Sequence, residues 1–264
     1  MHENPVKRKL RAGQACVGTW LNLDSVFAAE VLAVNGADWL VIDMEHSPFA
    51  WETVSHMIGV IAHRGGVPMV RVPFNSLENI KRVLDMGAYG IVVPMVNSVA
   101  EAEAAVRAAL YPPRGVRSVG GFLRAARFDA SAAEYLARAN DEIVVVIQAE
   151  HRLHLERAAE IASVPGVDAV FIGPNDMAAS LGLAATGPEM EPHFARVLAA
   201  CQAAGVAPGI HAGDGAAAHR RIAQGFRFVA VGNDAGILER YVAAELRVAR
   251  AGGAVVPAGA GAAE

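Results

Sequence analysis

Apolar residues recur along the chain in two alternating rhythms. Short runs rich in β-branched residues stand at 16–22 (CVGTWLN), 39–44 (WLVIDM), 68–72 (PMVRV), 90–96 (GIVVPMV), 143–150 (IVVVIQAE), 169–174 (AVFIGP), 207–212 (APGIHA) and 228–234 (FVAVGND). Between them lie Ala-, Leu- and Glu-rich stretches, such as DSVFAAEVLAVNG and SVAEAEAAVRAAL, whose apolar residues fall three and four apart. The first rhythm predicts strands and the second amphipathic helices. Strands that are apolar almost throughout, each followed by a helix, belong to a parallel sheet covered on its outer face. Eight such units fit a (β/α)8 TIM barrel, which takes about 250 residues.

Glycines punctuate the repeat. Gly36, Gly87, Gly166 and Gly225 each close a predicted helix just before a strand, where a left-handed residue ends the helix cheaply. An open doubly wound sheet uses the same punctuation, but no GxGxxG follows the first strand as a dinucleotide fold would require. Residues 1–251 are thus expected to form a single barrel domain. Residues 111–142 are too long for an ordinary connection and predict a loop plus an extra helix inserted near the barrel mouth. The low-complexity tail 252–264, GGAVVPAGAGAAE, is expected to be disordered.

Composition narrows the function classes. The 264 residues are 53% hydrophobic, and 23 basic against 27 acidic side chains leave a net charge of −4, without the clustered excess of Lys and Arg that nucleic acid needs. No apolar run approaches the ~20 residues of a membrane span, and the polar, basic start MHENPVKRKLRAGQ is not a secretory signal. Cys16 and Cys201 form no metal or redox motif, so a cytoplasmic location is expected. Only three of the cationic residues are lysines. Lys7 and Lys9 fall in the polar leader and Lys81 on a predicted amphipathic helix, which leaves imine chemistry almost without a nucleophile.

In a barrel, reacting groups gather at the C-terminal ends of the strands. Those ends read Asp43-Met44-Glu45-His46 after strand 2, Arg71 after strand 3, Gln148-Ala149-Glu150 after strand 5, and Gly173-Pro174-Asn175-Asp176 after strand 6. Strand 7 carries His211 and Asp214, and strand 8 ends in Asn233-Asp234. Gln148 and Glu150, two apart, share one face of their strand. Glu150 and Asp176 come from adjacent strands and can converge on a hard divalent cation such as Mg2+ or Mn2+; as readily, such carboxylates cap the helices that follow. Asp176 also opens a helix, DMAASLG, whose free amides attract anions. A cation beside such amides suits a 2-oxo acid. His46 would be a base in reach, although a histidine after a strand is commonly structural. Arg71 would place a fixed positive charge against a developing enolate oxygen, and its burial on an apolar strand asks for an anion. His151 and His154 read as a helix face, His56, His63, His193 and His219 as surface or helix-end residues, and His211 as a secondary candidate.

The segments ADWLVIDMEHSP (37–48), MVRVP (69–73), IKRVLDMGAYGIVVPMV (80–96), YPPRGVRSVG (111–120), IQAE (147–150), GVDAVFIGPNDMAASLG (166–182) and FVAVGND (228–234) together resemble the HpcH/HpaI family of class II pyruvate aldolases. The likeness runs from GTWLN at 18–22 to AVGND at 230–234. It implies that His46 accepts a proton, that Asp85 raises the basicity of His46, and that Arg71 stabilises the transition state. It also implies that Glu150 and Asp176 bind the divalent metal (Mg2+ or Mn2+, Co2+ as a third option), while Gln148 and the amides of Asn175 and Asp176 hold the substrate. Members are oligomeric, as hexamers or trimers with exchanged C-terminal helices, and the 111–142 loop lies near a neighbour's site, where Arg117 and Arg124 could face a substrate. Ala149 and His151 beside Glu150, and Asn175 before Asp176, depart from the family's usual neighbours.

The implied reaction is reversible cleavage of a 4-hydroxy-2-oxo acid to pyruvate, or a pyruvate-like 2-oxo acid such as hydroxypyruvate, and an aldehyde. Metal charge would then do what an imine lysine does elsewhere, in keeping with the scarcity of lysine. Two alternatives stay open at this point: a citrate-lyase-like or malyl-CoA-type acyl-CoA lyase, and a non-catalytic barrel that binds 2-oxo acids.

Overall fold

The computed structural model describes residues 1–120 and 127–251. Eight parallel strands close a barrel in sequence order: β1 (Cys16–Leu21), β2 (Trp39–Asp43), β3 (Val67–Arg71), β4 (Gly90–Val93), β5 (Val144–Ala149), β6 (Ala169–Ile172), β7 (Ala207–Ala212) and β8 (Phe228–Asn233). The (β/α)8 architecture is therefore as the hydrophobic rhythm predicts. Around it lie α2 (Val26–Ala33), α3 (Trp51–His63), α4 (Leu77–Asp85), α5 (Val99–Ala109), α6 (Ala132–Glu142), α7 (Arg152–Glu156), α8 (Ala158–Ala162), α9 (Pro174–Leu181), α10 (Glu191–Ala204), α11 (Gly215–Gln224) and α12 (Asp234–Ala251), with α1 (Pro5–Arg11) ahead of β1. The extra helix expected in the 111–142 connection is α6, started by a capping box between Ser131 and Glu134. The tail 252–264 and Arg124 fall outside the described residues. Among the described residues, no helix is long and apolar enough to cross a membrane.

Strand parity divides the core into two layers. Leu40, Ile42, Val70, Ile91, Val145, Ile147, Val170, Ile172 and Val229 face the helices. Trp20, Trp39, Val41, Met69, Val92, Val146, Phe171 and Phe228 fill the barrel. Large inward residues require small neighbours. A Cβ at Gly18 would lie 2.2 Å from the Trp39 ring, and one at Gly209 2.9 Å from Phe171. Those gaps let Trp39 stack on Phe228 at 4.2 Å and Phe171 meet Phe228 edge-on at 5.9 Å.

The N-terminal segment, polar in composition, is packed onto the barrel. It folds as α1, capped by the Asn4 side chain on the amides of Val6 and Lys7. Val6 and Leu10 seal the N-terminal mouth of the barrel. Lys7 is buried, donates to the Ile143 carbonyl and pairs with Asp168 at 3.1 Å, while Lys9 pairs with Asp38. Both carboxylates stand just before a strand, and each also accepts a neighbouring strand's amide: Val17 on Asp38 at 2.8 Å, Val145 on Asp168 at 2.9 Å. Two of the three lysines thus act as bolts for the barrel's base. Composition alone could not find this, because both partners lie far along the chain.

Lys7→Ala would leave the buried Asp168 carboxylate uncompensated, which costs about 3 kcal/mol. Urea denaturation should show that loss, and Asp168→Asn in the same chain should recover part of it.

Candidate active site

The inward parity of the strands continues past their last apolar residues into the polar ones. Asn22, Asp43, Arg71, Gln148 and Glu150 all follow the phase of Trp20, Val41, Met69 and Val146, so they line the C-terminal mouth of the barrel. Asp43 and Arg71 are register partners on β2 and β3. Arg71 Nε donates to Asp43 Oδ1 at 2.8 Å and Nη2 to Oδ2 at 2.6 Å, a bidentate pair. Its guanidinium lies 4.7 Å over the Trp20 ring. The remaining nitrogen, Nη1, stands 3.0 Å from Glu45 and 4.0 Å from Glu150.

Asp43 organises this corner. Beyond Arg71 it accepts from Asn22 Nδ2 at 2.8 Å and from the amides of Glu45 and His46 at 3.1 and 3.3 Å. Burial alone would raise its pKa; the Arg71 hydrogen bonds and the two amides outweigh that and hold the carboxyl below its usual range. The same contacts bend the chain after β2, so that His46 projects at the rim, its side chain 60% exposed and its Nε2 3.7 Å from Glu45. Neither Asp43 nor Glu45 receives a role from the sequence. The available signal is that two strand ends adjacent in order carry opposite charges, an acid after β2 and a base after β3.

Glu150 lies almost wholly out of water. Its Oε1 accepts from Gln148 Nε2 at 2.7 Å and its Oε2 from the Met95 amide at 3.1 Å. Burial pushes its pKa up to about 7, against the opposing pull of the Met95 amide and the Arg71 charge, with the charges of Glu45 and Asp176 adding to the rise. Burial also raises Glu45, and Asp43 and Asp176 add to that shift. Asp176 thus acts electrostatically on both glutamates from the first turn of α9. There, Asn175 and Asp176 are exposed and their amides, as first-turn groups, have no intrahelical acceptor. Asp176 and Glu150 thus influence each other through charge, and Arg71 Nη1 reaches to 4.0 Å from Glu150.

These residues fit a hard divalent cation. All the donors are oxygens, and a carboxylate buried this deeply needs more positive charge than one guanidinium nitrogen at 4.0 Å provides. The Gln148 Oε1 is buried without a partner among the described residues. A Cβ at Gly173 would lie 2.6 Å from Glu150 Oε1, so only glycine leaves the space beside that oxygen open. Among the described residues, no group of three or more His, Cys, Asp and Glu is placed to hold a metal. A cation on Glu150 and Asp176 would therefore keep most of its coordination for substrate and water.

Other candidates sort differently. Asp214 caps α11 through the Ala217 amide, Asn233 accepts from the Gly236 amide, and Asp234 ties the Asn22 and Leu23 amides to the last helix. His211 lies on the inward face near Arg71; burial lowers its pKa, and the Arg71 charge adds to that. His154 is not a surface helix residue: it is fully buried, with Nδ1 2.7 Å from the Val96 carbonyl. Asp85 ends α4, five residues before β4, at the opposite end of the barrel from His46. It accepts from the buried Arg117 at 2.8 Å, and Arg117 stacks on Tyr111. Within one chain, neither residue is brought to the mouth.

Comparison with known proteins places the chain in a family. Residues 17–240 match the model of the HpcH/HpaI aldolase/citrate lyase family. The chain is 42% identical over 253 residues to a 4-hydroxy-2-oxo-heptane-1,7-dioate aldolase of Shigella sonnei (strain Ss046), covering 95% of each chain. It superposes on an HpcH/HpaI aldolase/citrate lyase family protein from Burkholderia cenocepacia J2315 with a TM-score of 0.88 and 41% identity, over 94% of this chain and 99% of that one. An HpcH/HpaI aldolase from Desulfitobacterium hafniense DCB-2 superposes with a TM-score of 0.86 and 31% identity, over 92% and 96% of the two chains.

The Glu150 environment makes stability pH-dependent. An unfolded glutamate ionises near 4.5, whereas Glu150 in the fold holds its proton to about 7. Across that window the native state binds a proton that the unfolded chain has lost, so native stability falls as pH rises. In EDTA, wild type should lose up to about 3 kcal/mol relative to Glu150→Gln between roughly pH 4.5 and 8. Urea titrations across that range would read the difference, and parallel curves would contradict it.

Proposed function

Because the chain belongs to the HpcH/HpaI aldolase/citrate lyase family, we propose that it is a divalent-metal-dependent aldolase cleaving a 4-hydroxy-2-oxo acid, reversibly, to pyruvate or a pyruvate-like 2-oxo acid and an aldehyde. One observation carries the reading. A buried, open-sided Glu150 shares the barrel mouth with a doubly clamped Arg71 and the free amides at the start of α9.

Glu150 and Asp176 would hold the cation, Mg2+ or Mn2+ by the chemistry of an all-oxygen donor set. When bound, the cation supplies Lewis-acid polarisation of the 2-oxo group, the part an imine lysine would otherwise take. The amides of Asn175 and Asp176 would hold the substrate carboxylate, and Gln148 Oε1, without a partner among the described residues, would accept from a substrate hydroxyl. His46 at the rim takes the proton of the C4 hydroxyl. The C3–C4 bond breaks, its electron pair stays with the pyruvate fragment, and the aldehyde leaves. Arg71, held rigidly by Asp43 and Trp20, meets the negative charge that develops on the 2-oxo oxygen without reorganising. A proton returned to C3 completes the cycle.

Asp85 can assist His46 only from a neighbouring copy, since in its own chain it lies at the other end of the barrel. A homo-oligomer, trimeric or hexameric by family resemblance, is thus part of this reading. The last helix supports it: Leu238, Tyr241, Val242 and Leu246 stand exposed on α12, an apolar stripe that a second copy would cover. Cys16 and Cys201 are free, buried and pushed up to about 12 by burial, which agrees with a reducing cytoplasm and leaves them no part in the chemistry.

The reading is tested without choosing an aldehyde. In D2O, the protein should exchange the methyl protons of pyruvate when Mg2+ or Mn2+ is present and stop in EDTA, followed by NMR; metal-independent exchange would contradict it. Arg71→Lys should slow cleavage about 10²- to 10³-fold, as expected for loss of a fixed charge against the developing oxyanion. Mixing His46→Ala and Asp85→Ala subunits should restore activity that neither variant has alone, because some mixed interfaces then carry an intact pair. Absence of recovery in confirmed mixed oligomers would remove Asp85 from the site.

A further inference from the structure

The segment joining β4 to α5 reaches into the active site through one backbone group: the Met95 amide, which donates to Glu150 Oε2 at 3.1 Å. Met95 holds that amide in place from a left-handed backbone, φ 53°. A residue with a Cβ populates that conformation sparsely, and keeps it only where the surroundings over-determine it. The over-determination is visible peptide by peptide. The Met95 carbonyl accepts from Asn97 Nδ2 at 3.1 Å, and the Asn97 amide donates to Glu101 Oε2 at 2.6 Å. The Val96 carbonyl, buried with its side chain, is bonded to His154 Nδ1 at 2.7 Å.

His154 is unusual for a helix residue four positions after Glu150. It is fully buried, and its Nε2 has no hydrogen-bond partner among the described residues. A carbonyl can only accept, so Nδ1 carries the proton and Nε2 is left as a buried lone pair. Burial works against a second proton on this ring. Among the described residues, the ring has one hydrogen bond, and it goes to the turn that aims the Met95 amide. We infer that His154 is a positioning residue for the metal-binding carboxylate: through Val96 it fixes the left-handed turn at Met95, and through the Met95 amide it fixes the orientation of Glu150. The inference rests on the reading of Glu150 as a metal ligand. Groups standing behind first ligands in this way commonly alter metal affinity by about 10- to 100-fold when lost.

The test is Mn2+ binding to the full chain without substrate, read by the EPR signal of free Mn2+. His154→Leu keeps the volume and loses the donor, and should weaken Mn2+ binding about tenfold. His154→Asn places an amide Nδ2 close to where the ring Nδ1 stood, so it should bind Mn2+ close to wild type even though it removes more of the ring. Rescue by Asn and not Leu is a result that packing alone does not produce. Equal affinity in wild type and His154→Leu, or equal weakening in both variants, would overturn the inference while leaving the metal site intact. Glu150→Gln is the control for the underlying reading. If it binds Mn2+ as wild type does, or if wild type does not bind, the metal assignment of Glu150 fails and this inference falls with it.

Discussion

A guanidinium taken out of water at the end of an apolar strand cannot stand alone; the cost of an unpaired buried charge exceeds the stability margin of most domains. Arg71 meets that constraint with the Asp43 carboxylate across the β2–β3 register, the Glu45 carboxylate at 3.0 Å and the face of Trp20. Much of the mouth follows from this arrangement. Asp43 has lone pairs to spare and uses them on Asn22 and on the amides that turn the chain toward His46. With Nε and Nη2 taken by Asp43, only Nη1 faces the pocket, directed between Glu45 and Glu150.

The barrel separates two electrostatic tasks at its two ends. At the base, Lys7 with Asp168 and Lys9 with Asp38 bind α1 across the strand starts, and each acid is also satisfied by a strand amide. Charges there are matched. At the mouth, Glu45 and Glu150 stand 3.0 and 4.0 Å from the same Arg71 nitrogen, the charge of Asp176 acts on both, and burial pushes Glu150 up to about 7. That excess of negative charge suits a cation, and the strand phase that produces it is the same phase that packs Trp39 against Phe228 deeper in the barrel.

The residues proposed to carry the chemistry were legible where they ended strands. Arg71, Gln148 and Glu150 interrupt apolar runs, and an interrupted run is visible without coordinates. Other polar strand ends carried the same signal and hold backbone instead: Asp214 and Asn233 accept from first-turn helix amides, and Asp234 accepts from the Asn22 and Leu23 amides. Nothing local separates the two groups, because a cap and a ligand differ in what stands opposite them. Asp43 and Glu45 were visible as residues but silent as to role, since their importance lies in Arg71, twenty-eight residues beyond Asp43.

Strand periodicity, glycine punctuation and strand count depend on neighbours along the chain, so the sequence by itself determined the (β/α)8 barrel and the strand limits to within a few residues: 16–22 became Cys16–Leu21 and 228–234 became Phe228–Asn233. Which side of a charged residue meets water depends on groups far along the chain, and only the tertiary structure decided it. Lys7 falls in a polar leader and is buried against Asp168; His154 reads as a helix face and is bonded to the Val96 carbonyl. Asp85 and His46 are kept at opposite ends of one barrel because a helix returns the chain to the strand starts, a separation that no spacing of residues between them reveals.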